Sequence, residues 1–488
     1  MALLDLPASR PILSTFALLV VWILTCSAYR IWFHPLSHIP GPFVASLTSL
    51  WLYYHSYIGD EASIIDSLHH THGSLVRVSP GEIDISDPDA VEPIYVKKGG
   101  FRKAECYANF DIDAHKTIFS IEDLDARAKR AKAVVPLFST KMLRESEGIV
   151  RTCVGRLVGR LELEKDGSKG GAGRRGNVNL LDATRRLAID VVSSHLFSRN
   201  YDSMSEEGEL SVSAFVDTFV AVGRFFYLPG WVFQLVEMGL EKCFPDQKVE
   251  TSMKQVDAFV DNLVRGTKRG SGSYAARLLD AGITPSEVKA QCKDLVFAGT
   301  DSTGMNVACL MRYLILHPEK HERLRQEVAV NAALGSEAKD FAALPYLAAV
   351  VKESLRLSMA NPTRLPRLVP AAGWQFKGAY FPHNTIVGCA GYSLHFNPSV
   401  FPSPREFKPE RWLDGAATDE MSKSWFAFGA GSRACIARNL AMVELHTAAA
   451  KVVESGVLEG ARVVADGEIP IYEWFNSRVK GERIDVVW

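Results

Sequence analysis

Near its carboxyl end the chain reads Phe428-Gly-Ala-Gly-Ser-Arg-Ala-Cys435-Ile-Ala-Arg-Asn-Leu-Ala. Two glycines and a serine ahead of Cys435 free the backbone to form a tight loop, and a helical pattern starts directly after it. A cysteine at a helix amino terminus has its thiolate stabilised by the helix dipole and by free backbone amides. Such a thiolate can ligate a soft or borderline metal. A cysteine without that setting is usually a small buried apolar side chain. The other cysteines, Cys26, Cys106, Cys153, Cys243, Cys292, Cys309 and Cys389, are scattered singly with no Cys-x-x-Cys pair. That spacing argues against a zinc cluster or a disulfide scaffold and fits a reducing compartment.

Three further stretches carry unusual residues. Ala298-Gly-Thr-Asp-Ser-Thr-Gly304 puts two glycines and several hydroxyl residues inside an otherwise apolar helical pattern, where each glycine costs about 1 kcal/mol relative to alanine. Such violations of local preference mark either function or strain, and a glycine packing notch is the plain alternative. Glu353-Ser-Leu-Arg356 places opposite charges on one helix face, a pair that alone is common and worth little. Thr363-Arg364-Leu-Pro-Arg367 follows shortly after, and a loop arginine is ordinarily just solvated.

Elements must hold these groups in place. A long helix should begin at Thr284, where Thr-Pro-Ser-Glu offers an N-cap, a first-turn proline and Glu287 as capping-box partner, and it should stop at His317-Pro318. Helix is also indicated from Tyr346 to Leu357 and from Ile436 into the 450s. The spacing predicts a β-hairpin over Ser74 to Ile85 about Pro80-Gly81. It predicts helix over Ser120 to Glu164, with Arg127, Lys129, Arg130 and Lys132 on a solvated face, and a flexible glycine loop from Asp166 to Asn177. Between Phe225 and Phe244 the sequence is too apolar for a loop, so it is either a core helix or a surface dipping into a membrane interface. Short strand patterns, GAYFP and NTIVGCAGYSL, lie among Pro/Gly-rich turns.

Ile12 to Tyr29 contains no charged residue and is bracketed by Arg10 and Arg30. It is about long enough to cross a bilayer as a tilted helix. A cleaved signal peptide would have a shorter apolar stretch and a small-residue cleavage site, so a retained anchor over residues 1–33 is the better reading. The Pro-rich connector 34–45 follows, then the body of the protein to residue 488. Lys and Arg total 55 against 56 Asp and Glu, so no bulk field draws nucleic acid or an acidic partner. With 47 % hydrophobic and 23 % charged residues the chain has an ordinary globular composition, and length alone would suggest about three domains.

The cysteine loop resembles the haem-binding loop of the cytochromes P450, Phe-x-x-Gly-x-Arg-x-Cys-x-Gly, at Phe428, Gly431, Arg433 and Cys435, with Ala437 where the family usually has glycine. Ala298 to Gly304 resembles the oxygen-activation motif, with Asp301 at the acid position and Ser302 at the alcohol position. Glu353, Arg356 and the Arg411 of Pro409-Glu410-Arg411-Trp412 resemble the buried Glu-x-x-Arg network behind the haem. Arg367 and Arg433 match positions that commonly contact haem propionates. A further contact from the basic stretch near Arg130 does not align securely. HPLSHIPGP, SLHFNP and FKPERW look like fungal microsomal members. The resemblance spans essentially the whole chain and overrides the length-based domain count.

It implies a mainly α fold with small β-sheets, a single haem domain behind a transmembrane helix, with haem b held axially by the Cys435 thiolate, which favours O–O bond cleavage. It implies a monooxygenase in which Asp301 and Ser302 relay protons while an apolar small molecule of fungal secondary metabolism is hydroxylated or epoxidised. Electrons would come from an NADPH-cytochrome P450 reductase, with cytochrome b5 as a second candidate donor, at the cytosolic face of the endoplasmic reticulum membrane. The alternatives are a haem-thiolate isomerase or dehydratase, which needs no Asp301-Ser302 pair, and a non-catalytic haem sensor. Substrate contacts are expected around Cys106 to Phe110, Phe215 to Phe226, Phe297 and Asn361 to Leu365.

Overall fold

Thr284 accepts a hydrogen bond from the Glu287 N–H through its Oγ1 at 3.3 Å, and Pro285 occupies the first helical position. Those two features start a helix that runs over Pro285–Leu316 until His317-Pro318 ends it. At 32 residues it is about 48 Å long. The other half of the expected capping box does not form. The Glu287 carboxylate takes Arg130 at 3.0 Å and Gln291 at 3.4 Å instead of reaching back to Thr284.

In the computed structural model, which describes residues 11–169, 177–335 and 340–488, helices dominate and the sheets are small. The helices that matter for the site are α1 (Pro11–Ala28), α2 (Leu50–Ile58), α3 (Leu124–Val134), α4 (Leu180–Phe197), α5 (Gly230–Cys243), α6 (Pro285–Leu316), α7 (Pro345–Ser358) and α8 (Arg438–Ser455). The main sheet uses β1 (Leu75–Ser79), β2 (Glu82–Ile85), β3 (Arg102–Lys103), β4 (Arg367–Leu368) and β5 (Ile386–Gly388) in the order β1-β2-β5-β4-β3. β1 and β2 form the expected hairpin, β2 runs parallel to β5, and β4 is antiparallel to both β5 and β3. The largest apolar core gathers around α6, drawing on α4, α7 and α8.

The glycines of the polar patch in α6 do serve as a notch. A Cβ on Gly299 would stand 2.6 Å from Val192 Cγ2, and one on Gly304 would stand 2.7 Å from Arg185 Cγ and 2.9 Å from its Cα. α4 therefore lies against the bare backbone of α6, and Thr184 Oγ1 donates to the Gly304 carbonyl at 2.7 Å.

Several sequence expectations need correction. The helical stretch after Ser120 is broken at Pro136 into α3, a short helix Thr140–Glu145 and a longer one over Glu147–Lys169. This last helix enters the expected glycine loop 166–177, of which residues 170–176 lie outside the described residues. The basic face of α3 is not uniformly solvated, because Arg130 pairs with Glu287 and Arg127 turns inward, where burial lowers its pKa. α8 begins at Arg438, two residues later than expected, after a turn at Ile436–Ala437. After Gly388 the strand pattern gives way to a short helix at Gly391–His395.

The apolar segment 225–244 is split. Phe226 and Tyr227 are buried, whereas α5 buries Phe233 and exposes Trp231, Leu235 and Met238 at i, i+4 and i+7. α1 continues through a π turn at Tyr29–Phe33, and nothing in its apolar window 14–33 is buried. Arg30 ties the base of this helix to the Leu47 carbonyl.

Gly304→Ala should lower the melting temperature of the protein, since overpacking against the Arg185 backbone costs about 1–3 kcal/mol and outweighs the gain in helix propensity. Gly299→Ala should cost less, because its neighbour is a methyl group that can rotate. Thermal melts followed by circular dichroism compare the two, and an unchanged melt for Gly304→Ala would remove the notch as an explanation.

Candidate active site

The cysteine loop is shaped by its own backbone. Gly429 and Gly431 have φ of +66° and +69°, and a Cβ on Gly431 would overlap the Tyr95 carbonyl. Only glycine serves there. The Cys435 N–H donates to the Phe428 carbonyl at 2.9 Å, and Ala434 N–H to the Gly431 carbonyl at 3.1 Å. Phe428 packs edge-on against Trp425, their centroids 5.9 Å apart, with the Arg438 guanidinium over its face.

Cys435 is surrounded by protein, and this burial pushes its thiol pKa up, opposed by a hydrogen bond from the Ala437 N–H and by the charge of Arg438. Its surface is nevertheless open. A group enclosed by protein yet accessible borders an internal hollow. Ala298 is likewise exposed and Ser302 partly exposed on α6, beside the buried Phe297, Asp301 and Thr303. Two surface clefts of about 570 and 540 Å³ lie elsewhere and contain none of these residues.

Behind the loop, Glu353 is fully buried and its carboxylate is saturated. It accepts from Arg356 Nε and NH2 at 2.9 and 2.8 Å, Arg411 Nε at 3.0 Å, Lys408 N–H at 3.1 Å and Trp412 Nε1 at 2.8 Å. Arg356 in turn donates to the carbonyls of His395 and Pro404. His395, not singled out from the sequence, closes the circuit, because burial beside Arg356 pushes its pKa to about 3. The neutral ring therefore donates from Nδ1 to the Arg356 carbonyl at 3.0 Å and accepts the Phe426 N–H at Nε2 at 2.8 Å. Phe426 is two residues from Phe428, so the network ends on the cysteine loop.

Arg367 is 2 % exposed, with NH1 donating to Tyr107 Oη at 3.0 Å and to the Pro366 carbonyl at 2.9 Å. Arg433 donates to the carbonyls of Ile121, Glu122 and Asp123. Burial, then Arg127 and Arg367, push the Arg433 pKa down to about 10. Most acids nearby are engaged elsewhere, Glu122 with Arg102 and Lys116, Glu287 with Arg130 and Glu82 with Arg364, while Asp123, whose charge opposes the fall of the Arg433 pKa, caps α3 at the Ala126 N–H. Desolvated guanidinium groups supplied with neutral partners suit an incoming carboxylate. A thiol facing a hollow, with cations at its rim that outweigh their counter-charge, fits a haem carrying two propionates. Arg127, which the sequence alone did not align, belongs to this group.

Asp301 is buried and paired. Its Oδ1 accepts from Arg185 NH2 of α4 at 2.6 Å, and Arg185 NH1 also donates to Asp217 at 3.1 Å. Burial raises the Asp301 pKa, with Arg185 opposing. Ser302 Oγ donates to the Ala298 carbonyl at 2.9 Å.

A wall of rings comes from distant segments. Phe110, Phe119, Phe226 and Phe475 contact one another at centroid separations of 4.9 to 5.7 Å. Phe110 and Phe226 fall in the expected substrate regions, and Asn361 Nδ2 holds the Phe475 carbonyl at 3.0 Å. Phe297 meets Phe219 at 5.4 Å. Phe119 and Phe475 lay outside those regions, and no local motif singles them out. Arg364 is fully buried against Glu82, and Cys106 is desolvated beside them.

The cytochrome P450 family model matches residues 40–456. The chain is 38 % identical to cytochrome P450 monooxygenase mfmF of Annulohypoxylon moriforme, over 96 % of this chain and 98 % of that one. It is 28 % identical to fusicoccadiene C-8 hydroxylase of Alternaria brassicicola, over 86 % and 84 % of the two chains. A crystal structure of a cytochrome P450 (CYP102L1) superposes with a TM-score of 0.67 at 17 % identity, covering 88 % of this chain and 94 % of that one, a likeness of fold. A family match that spans the cysteine loop, the long helix and the buried glutamate network makes this chain a member of the cytochrome P450 family, and its class that of a cytochrome P450 monooxygenase.

Proposed function

We propose that the protein is a membrane-anchored haem-thiolate monooxygenase that hydroxylates or epoxidises an apolar small molecule of fungal secondary metabolism. The observation that carries this reading is Cys435, enclosed by protein yet open to a hollow whose rim holds Arg367 and Arg433. Haem b seated on these residues would supply dioxygen activation, with thiolate donation favouring O–O cleavage. A relative named for hydroxylating C-8 of fusicoccadiene supports an aliphatic carbon as the target.

Cys435 binds as the thiolate, and the Ala437 N–H and the charge of Arg438 favour loss of its proton. The ring wall of Phe110, Phe119, Phe226 and Phe475 excludes water and offers only apolar contact to a substrate. Ser302 carries an exchangeable proton and needs only a χ1 rotation to turn it from the Ala298 carbonyl into the hollow. Asp301 can replenish that proton by leaving Arg185 and taking up one from solvent, a protonation that its burial favours, while Asp217 still neutralises the guanidinium. This role for the pair favours the monooxygenase over an isomerase or dehydratase, which would have no use for it.

Electrons would arrive from an NADPH-cytochrome P450 reductase, with cytochrome b5 as a second donor, at the cytosolic face of the endoplasmic reticulum. α1 would span the bilayer, its 20-residue window 14–33 having a mean hydropathy of 1.7. Two further helices present apolar stripes at i, i+4 and i+7, Leu50, Tyr54 and Tyr57 on α2 and Trp231, Leu235 and Met238 on α5. Tyr57 of α2 stands 5.8 Å from Phe225, just ahead of α5. These faces would rest in the lipid interface beside the anchor.

Cys435→Ser should abolish the reduced carbon-monoxide band of thiolate ligation, since an alcohol is a far weaker donor; a variant that kept the band would overturn the ligand assignment. Asp301→Asn and Ser302→Ala should keep their haem while NADPH oxidation is diverted to peroxide, product formation falling about 100-fold for Asp301→Asn and less for Ser302→Ala. Unchanged coupling in both would promote the isomerase. Removal of residues 1–28 should weaken vesicle binding without abolishing it or costing haem, and serine at Trp231, Leu235 and Met238 in that truncated protein should remove the remainder. Complete release on truncation alone would show that α5 does not touch lipid.

A further inference from the structure

Asp294 stands on α6 one turn before Ala298 and two turns before Ser302, a spacing of i, i+4 and i+8 that puts all three on one side of the helix. Like Cys435, Asp294 is enclosed by protein yet partly open, and so it borders the hollow. Among the described residues its carboxylate has no ion-pair partner. The adjacent Lys293 is taken by Asp113 and Asp257. Lys103 of β3, which strand register sets opposite Arg367, acts on Asp294 by its charge but donates to the Phe119 carbonyl at 2.6 Å. Thr117 is the one hydrogen-bonding group among the leading influences on Asp294.

A carboxylate offers about four acceptor sites, and Glu353 shows how this chain fills them where the acid is purely structural. Asp294 is under-supplied by comparison. Burial lifts its pKa to about 6, with Thr117 and Lys103 opposing, so at neutral pH it is a charged acceptor at the edge of the hollow. A ligand that displaces water from such a group must bring a donor of its own. The kind of donor follows from the surrounding charge. Arg127, Arg367 and Arg433 crowd Lys103 in the same quarter, and the two carboxylates of a haem do not cancel four cations. An ammonium ligand would be repelled there. A hydroxyl is neutral and still donates.

We propose that Asp294 binds a hydroxyl group of the substrate, so that an otherwise apolar molecule is anchored at this end by an alcohol or a phenol. The proposal rests on the haem-thiolate reading above and narrows its substrate class. Ser302 lies about 12 Å further along the helix axis, so the carbon that is oxidised is remote from the anchoring oxygen. The anchoring hydroxyl is not itself the group that reacts. The reaction that supplies this substrate must therefore already have left a hydroxyl on the skeleton, by an earlier hydroxylation, a hydration or the reduction of a ketone. A site built around such a bond discriminates against the plain hydrocarbon, because the desolvated acceptor would then be left unpaired.

The test uses the full-length haem-loaded protein in detergent and measures Kd from the ligand-induced shift of the Soret band. The probes are pairs that share a skeleton, farnesol with farnesene and nonylphenol with nonylbenzene. For each pair the ratio of hydrocarbon Kd to alcohol Kd is compared between proteins, so that partition into detergent cancels. Asp294→Leu should lower this ratio about 10- to 100-fold, the range for one hydrogen bond to a charged group, while the hydrocarbon binds at least as well as before. Asp294→Asn, which keeps an acceptor but loses the charge, should fall between the two, charge-assisted bonds being about twice as strong as neutral ones. Equal ratios in the wild type and Asp294→Leu would overturn the proposal, as would a wild type whose band shifts with neither member of either pair. If Asp294→Leu does not load haem, Asp294→Asn decides, and an unchanged ratio there overturns it. Loss of the reduced carbon-monoxide band in the wild type would instead strike at the haem-thiolate reading itself.

Discussion

The buried carboxylate of Glu353 is the constraint on which the rest of the structure depends. Removing such an ion from water costs several kcal/mol, and only a full set of well-directed donors offsets it. Those donors come from α7 itself, from the Lys408 backbone, from Arg411 and from Trp412, so the cost is met only when these segments have converged. The carbonyl of Arg356 then holds His395, and His395 holds the Phe426 N–H. A chain of short polar contacts thus fixes where the cysteine loop begins. Because burial keeps His395 neutral, its Nε2 remains an acceptor over the whole working pH range.

The opposite wall of the hollow obeys a different rule. α6 gives up helix propensity at Gly299 and Gly304, about 1 kcal/mol each, and recovers it by letting α4 approach the bare backbone. The approach brings Arg185 within reach of Asp301 and Asp217 together. Packing and chemistry therefore share the same residues, since the notch that seats α4 is also what supplies the acid with a guanidinium partner. Breaking a buried pair by deleting one member costs about 3–5 kcal/mol, which is why the isosteric asparagine is a cleaner probe of Asp301 than alanine.

The buried ring wall is tied to the outer surface of the protein through one side chain. Asn109 Nδ2 donates to the carbonyls of Phe225, Phe226 and Leu228 at 3.4, 3.0 and 2.9 Å. A single amide thus pins the turn between the buried Phe226 and the exposed face of α5.

Much of the fold and site was legible from the chain itself, because the signals involved are local. Glycines with positive φ around Cys435, the threonine-proline start of α6, the alternation around Pro80-Gly81 and the apolar run of α1 each act within a few residues, so sequence order carries them. Cys435 stood out by its loop, while Phe428, Gly431, Arg433, Glu353, Arg356, Arg411 and Arg367 were named from the resemblance of their motifs to those of the cytochromes P450. Tertiary structure alone decided what depends on contacts between distant segments. It gave Asp301 to Arg185, Glu287 to Arg130 in place of Thr284, and the neutral His395 to the cysteine loop. It also set Lys103 against Arg367 through strand register and gathered Phe119 and Phe475 into one wall from positions more than 350 residues apart. Side-chain periodicity says that a lysine lies on a strand face, but which charge stands opposite it is a property of the pairing, and that exists only once the chain has folded.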